Sequence, residues 1–328
     1  MKRRTFLALV GGGTIAWPFS ARTQHTDVPL VGFLSGRSIT SDAHLVRAFR
    51  SGLKEAGYVE GRNVTIEFRW AEGRSERLTA LATDLLSNPR LAVVFAGAID
   101  TRIRELRTKL ANVPAVYAIG GDPVHLGVAA SLARPGGNAT GMTVMTAELW
   151  PKRLELLREL AVRPSIVGVL IDPANETAPA ATKDVEAAAR EIGQTITLVN
   201  AKSETEFEPV FETLARERAS ALLVPDDPLF INNRKELIAL AARRAIPVLY
   251  GRQEFPMHGG LASYGASPDD QYYHCGFYVG RILAGIKPAD LPFLRPNKFQ
   301  FVINLKTARA LGINVPQTLL VAADQVIE

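Results

Sequence analysis

Short apolar runs alternate with segments of helical periodicity along nearly the whole chain, and this alternation strongly constrains the fold. Residues 30–34 form the first apolar run, after which Leu45, Phe49 and Leu53 recur at helical spacing before Gly57. Each such pair predicts a strand followed by a helix. Repetition of the pair predicts a parallel sheet with helices on both faces, which is an α/β fold.

The strand-like runs fall into two series. They lie at residues 30–34, 64–70, 91–95, 115–119, 166–171, 196–199, 221–224 and 248–250. The segment RPGGN at residues 134–138 interrupts the pattern and predicts a break between the series. We therefore expect two doubly wound lobes joined by hinge strands, with residues 28–145 plus 265–297 in lobe 1 and residues 146–264 plus 298–328 in lobe 2.

The first 23 residues have the pattern of an export signal. Arg3 and Arg4 precede an apolar run at residues 7–19, which ends in small residues around Ala21. This order is typical of a twin-arginine-type signal peptide. The run is shorter than the ~20 residues that a membrane-spanning helix needs. We expect residues 1–23 to be removed and the mature protein to be periplasmic.

Removing the signal changes the charge balance. The whole chain has 38 basic and 33 acidic residues, and the leader holds four of the basic ones and none of the acidic ones. The mature chain then has 34 basic residues against 33 acidic ones, a net charge of +1. Basic residues are interspersed with acidic ones and form no patch, so the sequence argues against a nucleic-acid partner.

Candidate ligand-binding loops follow the predicted strands, because ligands of parallel sheets bind beyond the carboxyl ends of the strands. These loops carry small or polar residues that are suited to backbone contacts and to charge pairing. Their segments are residues 35–38, 96–98, 120–123, 172–176, 225–228 and 251–254. Turns favour the same residue types for conformational reasons alone. Six such loops at one cleft nevertheless favour a binding site.

The mature chain shows no recognisable catalytic arrangement. It has no phosphate-binding glycine loop after a strand and no nucleophile elbow, and its five histidines are dispersed. Asp226 and Asp227 are adjacent acids, but neighbouring loop residues rarely point at one atom. We therefore predict a binding protein without turnover, cofactor or metal. An exported Rossmann-like enzyme is the alternative from a different class.

Several segments resemble one known family over nearly the whole chain. They are LVGFLSG (30–36), FRSGLKEAGYVEG (49–61), RWAEG (69–73), GGDPVHLGVAASLARPGGNATG (120–141), DPLF (227–230), GGLASYG (259–265), GRILAGIKPADLP (280–292) and VINLKTARALG (302–312). In these segments the chain resembles the extracytoplasmic ABC-transporter substrate-binding proteins that include tryptophan- and tyrosine-type members.

The resemblance implies a type I periplasmic-binding-protein fold and a ligand between two lobes. Carried over by position, the candidate ligand residues are Ser35, Gly36, Gly97, Ala98, Gly121, Asp122, Asp172, Asn175 and Asp227, and the loop after the strand at residues 248–250 adds Arg252. The chain departs from the family pattern at residues 97–100 (GAID), 172–176 (DPANE) and 252–255 (RQEF). These departures lie in candidate specificity loops.

Together these observations predict a monomeric, hinge-bending receptor that delivers a small solute to an ABC permease in the inner membrane. The expected solute is an amino acid or a related carboxylate. Its ammonium group would be held by Asp227 or Asp122, and its carboxylate by loop N–H groups near Ser35 or Gly97. An exported ligand-binding partner of a signalling receptor is an alternative that the sequence leaves open.

Overall fold

The computed structural model describes residues 28–328, so the predicted signal peptide at residues 1–23 lies outside the described residues. The strands are β1 (Leu30–Ser35), β2 (Thr65–Trp70), β3 (Leu91–Gly97), β4 (Ala115–Ile119), β5 (Ala139–Thr143), β6 (Ile166–Ile171), β7 (Thr195–Asn200), β8 (Ala221–Val224), β9 (Val248–Tyr250), β10 (Ala262–Ala266), β11 (Phe299–Asn304) and β12 (Gln325–Ile327).

Helices follow most of these strands, as the periodicity predicts. They are α1 (Ile39–Glu55), α2 (Leu78–Leu86), α3 (Ile103–Lys109), α4 (Trp150–Leu160), α5 (Ala178–Glu191), α6 (Phe207–Arg216), α7 (Pro228–Asn232), α8 (Arg234–Arg243), α9 (Glu254–Met257), α10 (Pro268–Leu283), α11 (Leu305–Ala310) and α12 (Gln317–Ala322).

Two sheets divide the strands, which confirms the prediction of two α/β lobes. The first sheet has the order β2-β1-β3-β4-β5, and the second has the order β12-β11-β10-β9-β8-β6-β7. All neighbours are parallel except β10 and β11. The inner strands β1 and β4 are buried along their full length, as expected for a sheet covered on both faces.

Helix α10 returns the chain to the first sheet and packs against α1. A Cβ atom added at Gly52 would lie 1.9 Å from the carbonyl oxygen of Tyr273, and one added at Gly276 would lie 2.0 Å from the carbonyl oxygen of Phe49. Only glycine permits the two helices to approach this closely. Gln271 also donates hydrogen bonds from Nε2 to the carbonyl oxygens of Ile119 (3.2 Å) and Met142 (3.1 Å).

The chain passes between the sheets three times: after β5, after β10 and before β11. These connections bring the carboxyl ends of the strands of both sheets toward one cleft. We propose that residues 28–145 plus 265–297 form lobe 1 and that residues 146–264 plus 298–328 form lobe 2.

Candidate functional site

A cavity of about 560 Å³ lies in the cleft between the two lobes. Its lining includes Gly121 and Asp122 after β4, Asp172 and Asn175 after β6, and Asp227 after β8. The structure thus brings together five of the ten residues predicted for the site. The volume is within the range that small-molecule sites usually occupy.

Asp100 supplies a buried carboxyl group from the first lobe. It follows β3, lines the cavity and is only 7% exposed. Its Oδ1 atom accepts hydrogen bonds from the backbone N–H groups of Gly120 (2.8 Å) and Gly121 (3.2 Å). Burial raises the pKa of Asp100 to about 6, although these two hydrogen bonds favour the charged form and lower it.

Asp227 supplies a buried carboxyl group from the second lobe. It caps α7 by accepting the N–H of Leu229 at Oδ1 (2.8 Å), and its Oδ2 accepts a hydrogen bond from Nδ2 of Asn175 (2.8 Å). Asp227 is 3% exposed. Burial first, and then the negative charge of Asp172, raises its pKa to about 7. At neutral pH this group is therefore only partly ionised.

Two further aspartates on the cavity wall accept hydrogen bonds from their own turns. Oδ1 of Asp172 accepts the N–H of Ala174 (2.8 Å), and Oδ1 of Asp122 accepts the N–H of Val124 (2.8 Å). Asp172 is buried, and this burial raises its pKa. Asp122 is half-buried. The cavity wall therefore carries these four carboxyl groups together with the side chains of Lys183 and His125.

An apolar wall with one indole N–H group completes the cavity. Trp150, the first residue of α4, lines it together with Leu126, Ile171 and Ala178. Trp150 is 1% exposed, and its Nε1 atom has no hydrogen-bond partner within residues 28–328. A buried donor without an acceptor is unfavourable. The same wall can contact an apolar part of a ligand while the indole offers a hydrogen bond.

The predicted residues after β1 and β3 do not line this cavity. Ser35 is fully buried, and its hydroxyl accepts the N–H of Arg37 (3.2 Å). The Gly36 N–H donates to the Gly97 carbonyl (3.1 Å) and the Ala98 N–H donates to the Ala118 carbonyl (3.3 Å). These backbone donors are already used.

The close packing around these loops explains their position. A Cβ atom at Gly36 would lie 2.0 Å from the carbonyl oxygen of Ala98, and one at Gly97 would lie 2.7 Å from the hydroxyl of Tyr272. Tyr272 belongs to α10, so this residue from a distant part of the chain covers the end of β3. Gly36 and Ala98 instead line a smaller cavity of about 70 Å³.

Arg252 lies in a buried ion-pair network rather than on the main cavity. Its guanidinium contacts Asp226 (Nη1 to Oδ2, 3.1 Å) and Glu254 (Nη2 to Oε1, 3.2 Å). Glu254 also contacts Arg37 of the first lobe (Oε1 to Nη2, 3.8 Å). Burial alone would raise the pKa of Glu254, but the charges of Arg252 and Arg37 outweigh it and lower the pKa to about 2. The network joins the two lobes.

A second contact between the lobes lies at the edge of the cavity. Oε2 of Glu176 accepts the backbone N–H of Arg104 (3.3 Å) and also lies 3.7 Å from Nε of Arg104. Arg104 lies in α3 of the first lobe, whereas Glu176 precedes α5 of the second. The two lobes are thus in contact at two places.

Sequence reasoning does not identify Asp100 and Trp150 as site residues. In the sequence, Asp100 stands out only as part of a departure from the family pattern, and Trp150 lies at the start of a segment with helical periodicity. The available signal for Asp100 is a carboxyl group just beyond a predicted strand. No sequence signal indicates that the Trp150 indole lacks an acceptor.

Comparison with known proteins identifies the family. The family model described as ABC transporter substrate binding protein matches residues 28–327. The chain belongs to this family. Its members are solute-binding proteins and not enzymes, which confirms the predicted absence of turnover. Within the part of the chain that the structure describes, no helix is both long and apolar enough to cross a membrane.

Individual relatives match this chain over most of their length. A solved ABC domain from Streptococcus pneumoniae in complex with L-Trp is 26% identical, with a TM-score of 0.82 over 91% of this chain and 99% of that one. A ligand-free, open substrate-binding protein from Clostridium difficile is 20% identical, with a TM-score of 0.65 over 92% and 99%. A tyrosine-binding protein of Clostridioides difficile (strain R20291) is 22% identical over 267 residues, which are 81% of this chain and 76% of the relative.

Proposed function

We propose that this substrate-binding protein captures an amino acid in the cleft and delivers it to an ABC permease. The observation that carries the proposal is the cavity itself, which combines buried carboxyl groups with an apolar wall between two lobes. The relative solved with L-Trp and the relative named for tyrosine support an amino acid with an aromatic side chain.

The ammonium group of the amino acid would contact Asp227. This carboxyl group is buried on the cavity wall, and both of its oxygens keep free lone pairs after accepting one hydrogen bond each. Asp122 is the weaker candidate because it is half-buried, and solvent screens a partly exposed charge. The structural reason for preferring Asp227 is therefore its burial.

The carboxylate of the amino acid would lie at the N-terminus of α5. Thr177, Ala178 and Ala180 line the cavity there, and the Thr177 side chain does not cap the helix. The N–H groups of Thr177 and Ala178 donate to Oδ1 and to the carbonyl oxygen of Asn175 (both 2.9 Å), and Pro179 has no N–H. The N–H of Ala180 is therefore the donor that an anion would contact there, since the first N–H groups of a helix attract anions. This location replaces the N–H groups near Ser35 and Gly97, whose neighbours already donate within the backbone.

Binding would be linked to movement of the lobes. A ligand that contacts Asp227 on one lobe and residues of the other favours the closed form, because some contacts form only on closure. The closed shape is then the form that a permease would recognise. The signal predicted at residues 1–23 supports delivery in the periplasm.

Calorimetry and solution scattering on the mature protein, without residues 1–23, test this function. We expect heat on titration with L-tryptophan or L-tyrosine, and a smaller radius of gyration at saturation. Absence of heat with all twenty standard amino acids would exclude the solute class. Binding without any change in the scattering curve would exclude the hinge-bending mechanism.

A further inference from the structure

We propose that Asp100 and Asp227 bind one protonated amine from opposite lobes, so that a positive charge on the ligand is required to close the cleft. This inference rests on the proposed function and adds the requirement for the amine. It also assigns a binding role to Asp100, which lies in the segment at residues 97–100 where the chain departs from the family pattern.

The position of Asp100 leaves part of its carboxyl group available to a ligand. Both hydrogen bonds from Gly120 and Gly121 reach Oδ1, so they hold the side chain in place without using Oδ2. Asp100 and Asp227 line the same cavity. The charge of Asp100 is among the causes that raise the pKa of Asp227, so the two groups interact across the cleft.

These carboxyl groups form no ion pair in the described part of the chain, although Lys183 also lines the cavity. Within residues 28–328, Asp100, Asp172 and Asp227 form no salt bridge, whereas the neighbouring Asp226 is paired with Arg252 at 3.1 Å. Nor does any group of three His, Cys, Asp or Glu side chains in this part of the chain have an arrangement that could hold a metal ion. The missing positive charge is therefore expected from an organic ligand.

The side chain of Trp150 adds a further feature of the same cavity. Trp150 lines it beside the two aspartates, and its buried N–H has no acceptor within the described residues. An oxygen of the ligand would satisfy this donor. The ligand thus has three features: a protonated amine, a hydrogen-bond acceptor, and an apolar body for the wall formed by residues such as Leu126 and Ile171.

The charges also determine when the lobes close. Closure would bring Asp100 of the first lobe toward Asp227 of the second, and like charges repel more strongly when both groups are buried. A protonated amine between the two carboxylates turns this repulsion into two attractions. A ligand with a carboxylate but no amine adds a further negative charge and opposes closure.

The test uses three matched series of compounds in calorimetry with the mature protein. Each series keeps one apolar body: L-tryptophan, tryptamine and indole-3-propionate; L-tyrosine, tyramine and 3-(4-hydroxyphenyl)propionate; L-leucine, isopentylamine and 4-methylpentanoate. For at least one body we expect the amino acid and the amine to bind, and the acid without an amine not to bind.

Asp100→Asn measures the contribution of the first lobe. An asparagine Oδ1 can still accept the N–H groups of Gly120 and Gly121, so the loop should keep its conformation. Loss of one charged hydrogen bond should weaken binding of the amine by about 10- to 100-fold. The matched control is Asp290→Asn, which removes one negative charge at an exposed position of the same lobe and should leave affinity unchanged.

The outcomes distinguish failure of this inference alone from failure of the proposed function as well. Two outcomes contradict binding of the amine by both aspartates and leave solute binding intact. One is equal binding of an amino acid and of the matching acid without an amine, and the other is unchanged affinity in Asp100→Asn. Binding of only the acids without an amine contradicts both the binding of the amine by the two aspartates and the assignment to amino acids. Binding of no compound in any series contradicts this inference and excludes tryptophan, tyrosine and leucine as ligands. The wild-type series decides the question even if Asp100→Asn does not fold.

Discussion

At the scale of single residues, the site is defined by carboxyl groups that burial has made weakly acidic. The pKa of Asp100 is raised from 3.8 to about 6, and that of Asp227 from 3.8 to about 7. In both residues burial is the largest cause. Without a ligand, burial therefore destabilises the ionised form of both groups at neutral pH. Binding of a proton or a cation removes this destabilisation.

The free-energy cost of ionising these buried groups predicts how the stability of the ligand-free protein depends on pH. Because the folded-state pKa of both groups is raised, their stabilising contribution is fully present below about pH 4 and is lost as pH rises through 6 and 7. Asp227→Asn removes one titration. We expect its melting temperature, relative to wild type, to increase between pH 5 and pH 8.

Thermal denaturation of both proteins at several pH values provides the measurement. The amide introduced by Asp227→Asn keeps only one side-chain acceptor for Leu229 and Asn175, so a constant offset between the two proteins is expected. The informative quantity is the change of the difference with pH. A difference that stays constant from pH 5 to pH 8 would contradict the raised pKa of Asp227.

At the scale of secondary-structure elements, the pair α1 and α10 determines how the first lobe is covered. Glycines on both helices permit backbone contact, and Phe49, Tyr272 and Cys275 pack in the core beneath. Tyr272 on α10 also closes the end of β3. The packing of two helices that are distant in sequence therefore decides which loops remain available to a ligand.

Gly276→Ala tests this helix contact. Its Cβ atom would lie 2.0 Å from the carbonyl oxygen of Phe49, a distance that requires the helices to separate. We expect the free energy of unfolding in urea to fall by about 1–3 kcal/mol, the usual cost of overpacking. Ser51→Ala, at an exposed position of α1, is the control and should change it by less than about 0.5 kcal/mol. Equal stability of Gly276→Ala and wild type would show that the helices can adjust.

At the scale of the whole molecule, buried ions connect the lobes beside the ligand cavity. Arg37 contacts Asp42 on its own lobe at 2.9 Å and Glu254 on the other at 3.8 Å, and Glu254 pairs with Arg252. Removing one member of such a network leaves the remaining buried charges without compensation. The network therefore couples the contact between the lobes to the stability of the protein.

Glu254→Ala should accordingly be strongly destabilising. It leaves Arg252 with Asp226 alone and removes the partner of Arg37 on the other lobe. We expect a loss of about 3–5 kcal/mol in the free energy of unfolding, measured by urea denaturation at pH 7. For comparison, Glu155→Ala breaks an exposed pair with Lys152 (3.2 Å) and should cost under about 1 kcal/mol. Similar losses in the two variants would show that the interlobe network contributes little.

Much of the site's general location could be predicted from the sequence. Polar loops after β4, β6 and β8 contain Gly121, Asp122, Asp172, Asn175 and Asp227, and all five line the cavity. The carboxyl ends of parallel strands meet at one edge, so loop position follows from strand order. Gly97 and Ser35 satisfy the same rule, yet Tyr272 of α10 covers Gly97 and Ser35 is fully buried.

The sequence by itself determined the two α/β lobes, the family and the loops from which a site is built, because these depend on local periodicity and on motifs contiguous in the chain. Only the tertiary structure decided which groups share the cavity and which charges remain uncompensated. Asp100 and Asp227 are 127 positions apart in the chain, as their residue numbers show. Their burial, their mutual repulsion and the unpaired indole of Trp150 depend on atoms brought together by folding, and periodicity along a sequence carries no information about those distances.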